Sequence, residues 1–281
     1  MTADRGTTRS PDGTEIAWFR SGMGPPVVLV HGATADHTAW RTAGPLLAAT
    51  HTLYAIDRRG RGASGDTEPY AIAREYEDVA AVVDAVAAEA SRPVDVIGHS
   101  YGGRVGLGAA LITEHLRRLV VYEGAPAPAG GSFHGDSVMA RLEAYKAADD
   151  RDGLLAYFMT EVVGLTTAEL DDYRHAPTWP TRVEAAPTIV REMWAEAGED
   201  AGPERYAAIR IPVLQVIGGA SGPSFTDGTW ELDRLLSDGR VVIIPGAKHA
   251  AHHTDPERFV AEVLCFLDDA PDDAGLPSGH A

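Results

Sequence analysis

Val94-Asp95-Val96-Ile97-Gly98-His99-Ser100-Tyr101-Gly102-Gly103 is the stretch that decides the fold. Val94–Ile97 reads as a buried strand, and the small-residue run from Tyr101 to about Thr113 reads as a helix. Ser100 therefore falls on the turn between them. A G-x-S-x-G sequence in that setting holds its serine in a strained backbone conformation, and only small neighbours fit around it. The strain lifts the hydroxyl above the sheet edge. The amides of a helix beginning at Tyr101 favour negative charge that develops at the same spot. Ser100 is the candidate nucleophile.

Outward from this turn the pattern repeats. Arg5–Arg9 and Glu15–Arg20 read as strands around the Asp12-Gly13 turn, and Val27–Val30 as a strand buried on both faces. Thr38–Ala49 reads as a helix and Leu53–Ile56 as a strand. Glu75–Ala90 is a clear helix, with Val79, Val82, Val83 and Val86 on one face. Further strands are Leu119–Tyr122, Pro212–Ile217 and Arg240–Ile244, before a last helix at Pro256–Asp268. Alternating strands and helices imply an α/β fold on a mostly parallel sheet, here of eight strands. Between Gly124 and Arg210 only helical patterns occur. The expected organisation is a core over 1–123 and 211–270, a helical cap inserted at 124–210 over the carboxyl ends of the strands, and a frayed tail at 271–281.

Composition narrows the function. The 281 residues carry a formal net charge of −17, which repels nucleic acid and anionic membranes and serves solubility. No apolar run approaches the length of a membrane span and the polar Met1–Ser10 has no signal-peptide core, so a cytoplasmic location is expected. Cys265 is the only cysteine. It can form no internal disulfide, and its place in the apolar Phe259–Leu267 stretch suggests a buried structural thiol. No Cys/His cluster has metal-ligand spacing and no G-x-G-x-x-G follows a strand, so neither a metal nor a cofactor is implied.

A serine needs a base. His249 follows the last strand in Pro245-Gly246-Ala247-Lys248-His249, at the same sheet edge as Ser100. His252 and His253 lie nearer the final helix and read as surface or supporting histidines.

Four segments together resemble the α/β-hydrolase superfamily. Val30-His31-Gly32-Ala33 resembles its oxyanion loop, and Asp57-Arg58-Arg59-Gly60-Arg61-Gly62-Ala63-Ser64 its D-x-R-G-x-G-x-S segment. Gly98–Gly102 resembles its nucleophile elbow, and Gly246–His249 its histidine loop. The resemblance implies an α/β-hydrolase fold and an oxyanion hole formed by the Ala33 and Tyr101 amides. It also implies that His31, Asp57, Arg58 and Gly60 shape loops, and that His99 packs within the elbow.

One position departs from the family. Its acid usually follows the strand that here ends at Gly218, yet Gly218-Gly219-Ala220-Ser221-Gly222-Pro223 holds no carboxylate. Haloalkane dehalogenases of one subgroup, which resemble this chain in fold but use an aspartate nucleophile, place their acid at the end of the strand after the nucleophile helix. Glu123 occupies that place in Val120-Val121-Tyr122-Glu123-Gly124 and is the leading acid, with Asp227 the alternative.

The cap supplies Phe133, Met139, Tyr145, Tyr157, Phe158, Met159, Trp179, Met193 and Trp194. Most of them must hold its helices together, and the surplus would favour a small hydrophobic substrate. The expected activity is hydrolysis of a hydrophobic carboxylic ester, lactone or thioester through an acyl-enzyme. The alternatives are a non-hydrolytic lyase, cyclase or cofactor-free oxygenase on the same scaffold, and a ligand-binding receptor.

Overall fold

Val27, Val28, Leu29 and Val30 are all buried, so the strand they form is covered on both faces and lies in the middle of the sheet. The computed structural model describes residues 4–128, 135–196 and 202–269. Phe133 and the 271–281 tail lie outside the described residues.

Eight strands make one sheet: β1 (Asp4–Arg9), β2 (Glu15–Ser21), β3 (Pro26–Val30), β4 (Thr52–Ile56), β5 (Val94–His99), β6 (Leu116–Tyr122), β7 (Val213–Gly218) and β8 (Gly239–Ile244), in spatial order 1-2-4-3-5-6-7-8. β2 pairs antiparallel with β1 and β4, and the remaining pairs are parallel. The order reverses between β3 and β5. Open α/β sheets bind ligands at such a switch point, beyond the carboxyl ends of the strands.

The alternation of a strand sorts the core into two layers. Val28, Val30, Val96, Leu119 and Val121 pack on one face, with Val79, Val82, Val83 and Val86 of α2 (Ile72–Ala90). Val27, Leu29, Ile97, Val120 and Val216 pack on the other, with Phe259, Val263 and Phe266 of the last helix.

The stretch expected as one helix over Thr38–Ala49 is instead a 3-10 turn, His37–Trp40, followed by the short α1 (Gly44–Leu47). Gly44-Pro45 explains the break: proline has no N–H to continue a helix and fits at its first turn. After α3 (Tyr101–Ala109) and β6 come α4 (Asp136–Ala147), α5 (Arg151–Glu161), α6 (Thr167–Arg174), α7 (Trp179–Ala185) and α8 (Thr188–Glu196), with no strand among the described residues. These helices share a third apolar cluster that includes Met139, Leu155, Trp179 and Met193. Tyr206 and Ile209, at the end of the same interval, pack with the sheet instead.

α9 (Pro223–Leu235), α10 (Ala251–Thr254) and α11 (Pro256–Asp268) complete the helices of the described residues. Cys265 on α11 is exposed, which corrects the expected buried thiol. The helix buries Phe259, Val260, Val263, Phe266 and Leu267. At about 100° per residue, position 265 falls outside the stripe formed by 259, 263 and 266. No helix among the described residues is long and apolar enough to cross a membrane.

Candidate active site

Four adjacent strands end at one place, and each delivers one part of the site. β5 runs into Ser100, β6 into Glu123, β7 ends at Gly218 and β8 leads to the loop carrying His249. Ser100 has φ 54° and ψ −127°, a conformation that a side chain adopts only under constraint from its surroundings. Its N–H donates to the Tyr122 carbonyl at 2.8 Å, and its carbonyl accepts from Gly103 at 2.8 Å. The turn is as tight as the sequence demands. A Cβ on Gly98 would lie 2.5 Å from the Gly102 carbonyl oxygen, and one on Gly102 only 2.3 Å from that of Val30.

Glu123 also has positive φ, 46°, and a fully buried side chain. Both carboxylate oxygens are committed. Oε1 accepts from the Gly218 N–H at 2.7 Å and Oε2 lies 2.5 Å from His249 Nδ1. β7, which has no carboxylate at its end, thus contributes an amide that holds the carboxylate that follows β6. Asp227, the alternative, is exposed on α9.

The histidine loop is pinned from below. Tyr122 Oη donates to the Lys248 carbonyl and accepts from the Ala251 N–H at 2.8 Å. His99 Nε2–H donates to the His249 carbonyl at 2.7 Å. The Phe225 ring stacks on His249 with centroids 4.2 Å apart.

Of His249, His252 and His253, it is His249 that lines the cavity holding Ser100. His252 is buried against His99, ring centroids 4.3 Å apart, and is not a surface residue. Burial, followed by repulsion from His99, holds it well below the ordinary histidine range. His253 is brought down to about 4 by burial and the nearby Arg41 and Arg182. His99 and His31 are also held low, mainly by burial. His31 donates from Nδ1 to the Gly32 carbonyl at 2.8 Å and accepts the Arg58 N–H at Nε2 at 3.0 Å, which fixes the turn before Ala33. Asp57 is equally occupied with backbone: its carboxylate takes the N–H groups of His37 and Ala63 at 2.8 Å each.

Ala33, Ser100, Tyr101, Glu123 and His249 all line one cavity, which encloses about 570 Å³ including its open mouth. Phe158, Val162, Val163, Met193 and Phe225 make its apolar wall. Of the aromatic and methionine side chains expected in the helical segment, Phe158 and Met193 reach this wall. Met139, Met159 and Trp179 belong to the segment's own core, and Trp194 is exposed, donating to Glu143 at 2.7 Å.

Sequence reasoning missed a buried charged network beneath Tyr101. Arg58 forms a two-pronged pair with Glu75 of α2, at 2.7 Å for each hydrogen bond, and also donates to Glu192 of α8. Its guanidinium lies 4.5 Å from the Tyr101 ring centre. Tyr70 donates its hydroxyl proton to Glu75 at 2.7 Å, so at 2.7 Å from Tyr101 it must be the acceptor. The sequence signal was only the arginine of D-x-R-G-x-G-x-S. Its partners lie 17 and 134 residues away. Arg58→Ala would leave buried Glu75 without its arginine and Glu192 with Arg61 alone, and should lower stability by about 3–5 kcal/mol, read from the denaturant midpoint.

Similarity to known proteins agrees with this fold. The sequence profile described as "Alpha/beta hydrolase family" matches residues 27–262. The pimeloyl-[acyl-carrier protein] methyl ester esterase of Edwardsiella ictaluri is 26% identical over 267 residues, covering 90% of this chain and 97% of its own. Among solved structures, an alpha/beta hydrolase from Sphaerobacter thermophilus is 35% identical with a TM-score of 0.78, covering 93% of this chain and 100% of its own. A Rhodococcus esterase is 25% identical with a TM-score of 0.74, covering 96% and 100%.

Proposed function

Because the chain belongs to the alpha/beta hydrolase family, we propose that it hydrolyses a carboxylic ester through an acyl-enzyme on Ser100, with His249 as base and Glu123 as the acid behind it. The observation that carries this reading is the convergence of Ser100, His249 and Glu123 at one strand edge, with the Glu123–His249 contact at 2.5 Å. Esterase activity in relatives from Edwardsiella and Rhodococcus supports it.

In this mechanism the Ser100 hydroxyl adds to the ester carbonyl while His249 takes its proton. The Ala33 and Tyr101 amides hold the oxyanion, which they face before charge develops. His249 then returns the proton to the departing alkoxide, leaving an acyl group on Ser100. Water adds next, giving a proton to His249, and collapse releases the acid and restores the serine. Glu123 keeps the imidazole in the tautomer with hydrogen on Nδ1 and stabilises the imidazolium. Lactones and thioesters fit the same sequence of steps, with ring-opened hydroxyl or thiol as the leaving group.

The apolar wall of Phe158, Val162, Val163 and Met193 comes largely from the helical segment, so that segment sets acyl size in this account. Val163→Phe should reduce kcat/KM for a long-chain p-nitrophenyl ester by about tenfold or more while leaving the acetate near its original value. The test of the function as a whole is a panel of p-nitrophenyl esters and lactones of graded acyl size, with Ser100→Ala as control. Ester turnover that disappears in the control is expected. Turnover that survives it would place the chemistry elsewhere.

A further inference from the structure

α8 carries two carboxyls into the cavity that holds Ser100: Glu192 and, one turn further, Glu196. Glu192 is only 1% exposed. Its Oε1 is taken by Arg58 and Arg61, which reach it from the side of the D-x-R-G-x-G-x-S loop. Arg61 is itself tied to Thr188 at 2.7 Å and to the Arg59 carbonyl at 2.9 Å. Oε2 of Glu192 is buried with no hydrogen-bond partner. A buried acceptor without a donor is costly, and an ionised one more so. No arginine or lysine is among the described residues lining the cavity, which carries the carboxyls of Glu123, Glu192 and Glu196.

We propose that Glu192 Oε2, supported by Glu196, is a recognition subsite for a hydrogen-bond-donating substituent of the substrate, a hydroxyl or an ammonium, and that it turns away esters carrying a carboxylate at that place. This rests on the ester-hydrolase reading above and names the class of ester the site takes. The arginines balance the charge of Glu192 and fix its geometry, so a neutral donor is accepted without a net charge being buried. Glu196 adds a distinction between the two donors. Burial pushes its carboxyl up to about 7, against the attraction of Arg104 from α3 and with repulsion from Glu192 on its own helix. Arg58 also attracts it, while the α5 and α9 side chains on the cavity wall, Phe158 and Phe225, are uncharged. Above that pH Glu196 is ionised and favours an ammonium. Below it the protonated carboxyl treats hydroxyl and ammonium more evenly.

The test uses p-nitrophenyl esters of heptanoate, ω-hydroxyhexanoate, ω-aminohexanoate and adipate, whose chain lengths match. The wild-type kcat/KM for the hydroxy and amino esters should exceed that for heptanoate by about tenfold, and that for adipate should fall about tenfold below it. The amino-to-hydroxy ratio should rise between about pH 6 and about pH 8, a comparison from which pH effects common to both esters cancel. Glu196→Gln should flatten that pH dependence, and Glu192→Gln should erase the preference for either donor. Thermal melting reports whether Glu192→Gln, which disturbs the arginine pairs, remains folded; Glu196→Gln keeps the pH arm decisive if it does not.

Calorimetric binding of the corresponding methyl esters to Ser100→Ala separates the two readings. The predicted order of affinity without any wild-type turnover would sink the hydrolase reading and keep the subsite. Turnover with equal rates for all four esters, or a preference for adipate, would overturn the subsite and keep the hydrolase.

Discussion

Ser100→Ala should lower kcat for a p-nitrophenyl ester by about six orders of magnitude, and His249→Ala should do nearly the same. In the proposed mechanism the two side chains act as one unit. Without the hydroxyl there is no proton for His249 to take, and without the imidazole the hydroxyl remains a weak nucleophile. The double variant should therefore lose little more than either single one. A residual rate above that in water is expected, because the proposed oxyanion amides, those of Ala33 and Tyr101 in the same cavity, are left in place. His252→Ala is the contrast. That side chain is packed under His99, so its loss should cost stability more than turnover. Kinetics of the purified variants decide this: a mild His249→Ala beside a crippled His252→Ala would transfer the base to α10.

Glu123→Gln should cost about four orders of magnitude in kcat while the fold is retained. The size of the effect follows from the two hydrogen bonds the carboxylate makes. One oxygen takes the Gly218 N–H at 2.7 Å and the other meets His249 Nδ1 at 2.5 Å. A glutamine has only one acceptor oxygen. Whichever way its amide turns, its NH2 group faces either the Gly218 N–H or the Nδ1–H of the working tautomer. The first orientation sets donor against donor in a buried site, and the second drives the histidine to the tautomer that cannot take the serine proton. The negative charge opposite the imidazolium is lost in both. Asp227→Asn, exposed on α9, should leave kcat unchanged. A near-normal rate for Glu123→Gln with a collapse in Asp227→Asn would move the acid to α9.

The strands were legible because their apolar runs are short, rich in valine and bounded by glycine and proline, which leaves few other conformations open to them. The strand order was legible only through the resemblance, since periodicity does not say which strand lies beside which. Glu123 could be named only through the resemblance, which implies the usual acid position, empty here after Gly218, and a second one at the end of the strand that follows the nucleophile helix. The structure puts that side chain against His249 and fills the vacant β7 end with an amide instead. Cys265 was misjudged because an apolar stretch was read as uniformly buried, whereas a helix buries a stripe. The Thr38–Ala49 helix was overextended across Gly44-Pro45. Glu192 carried no signal at all. A single glutamate on a helix with a polar face is ordinarily solvated, and only tertiary packing reveals that this one is closed in by Arg58 and Arg61 from a loop more than 100 residues earlier.

The central claim is that Ser100 becomes covalently acylated. A fluorophosphonate probe reacts with a serine whose hydroxyl is activated by a base and whose oxyanion is held by preorganised amides, so it reports the nucleophile independently of the natural substrate. Incubation of the folded protein with the probe, followed by proteolysis and mass mapping, should give stoichiometric labelling confined to the peptide containing Gly98-His99-Ser100-Tyr101-Gly102, with the adduct on Ser100 and none in Ser100→Ala. Labelling at another residue, or an unlabelled but folded wild-type protein, would contradict the account.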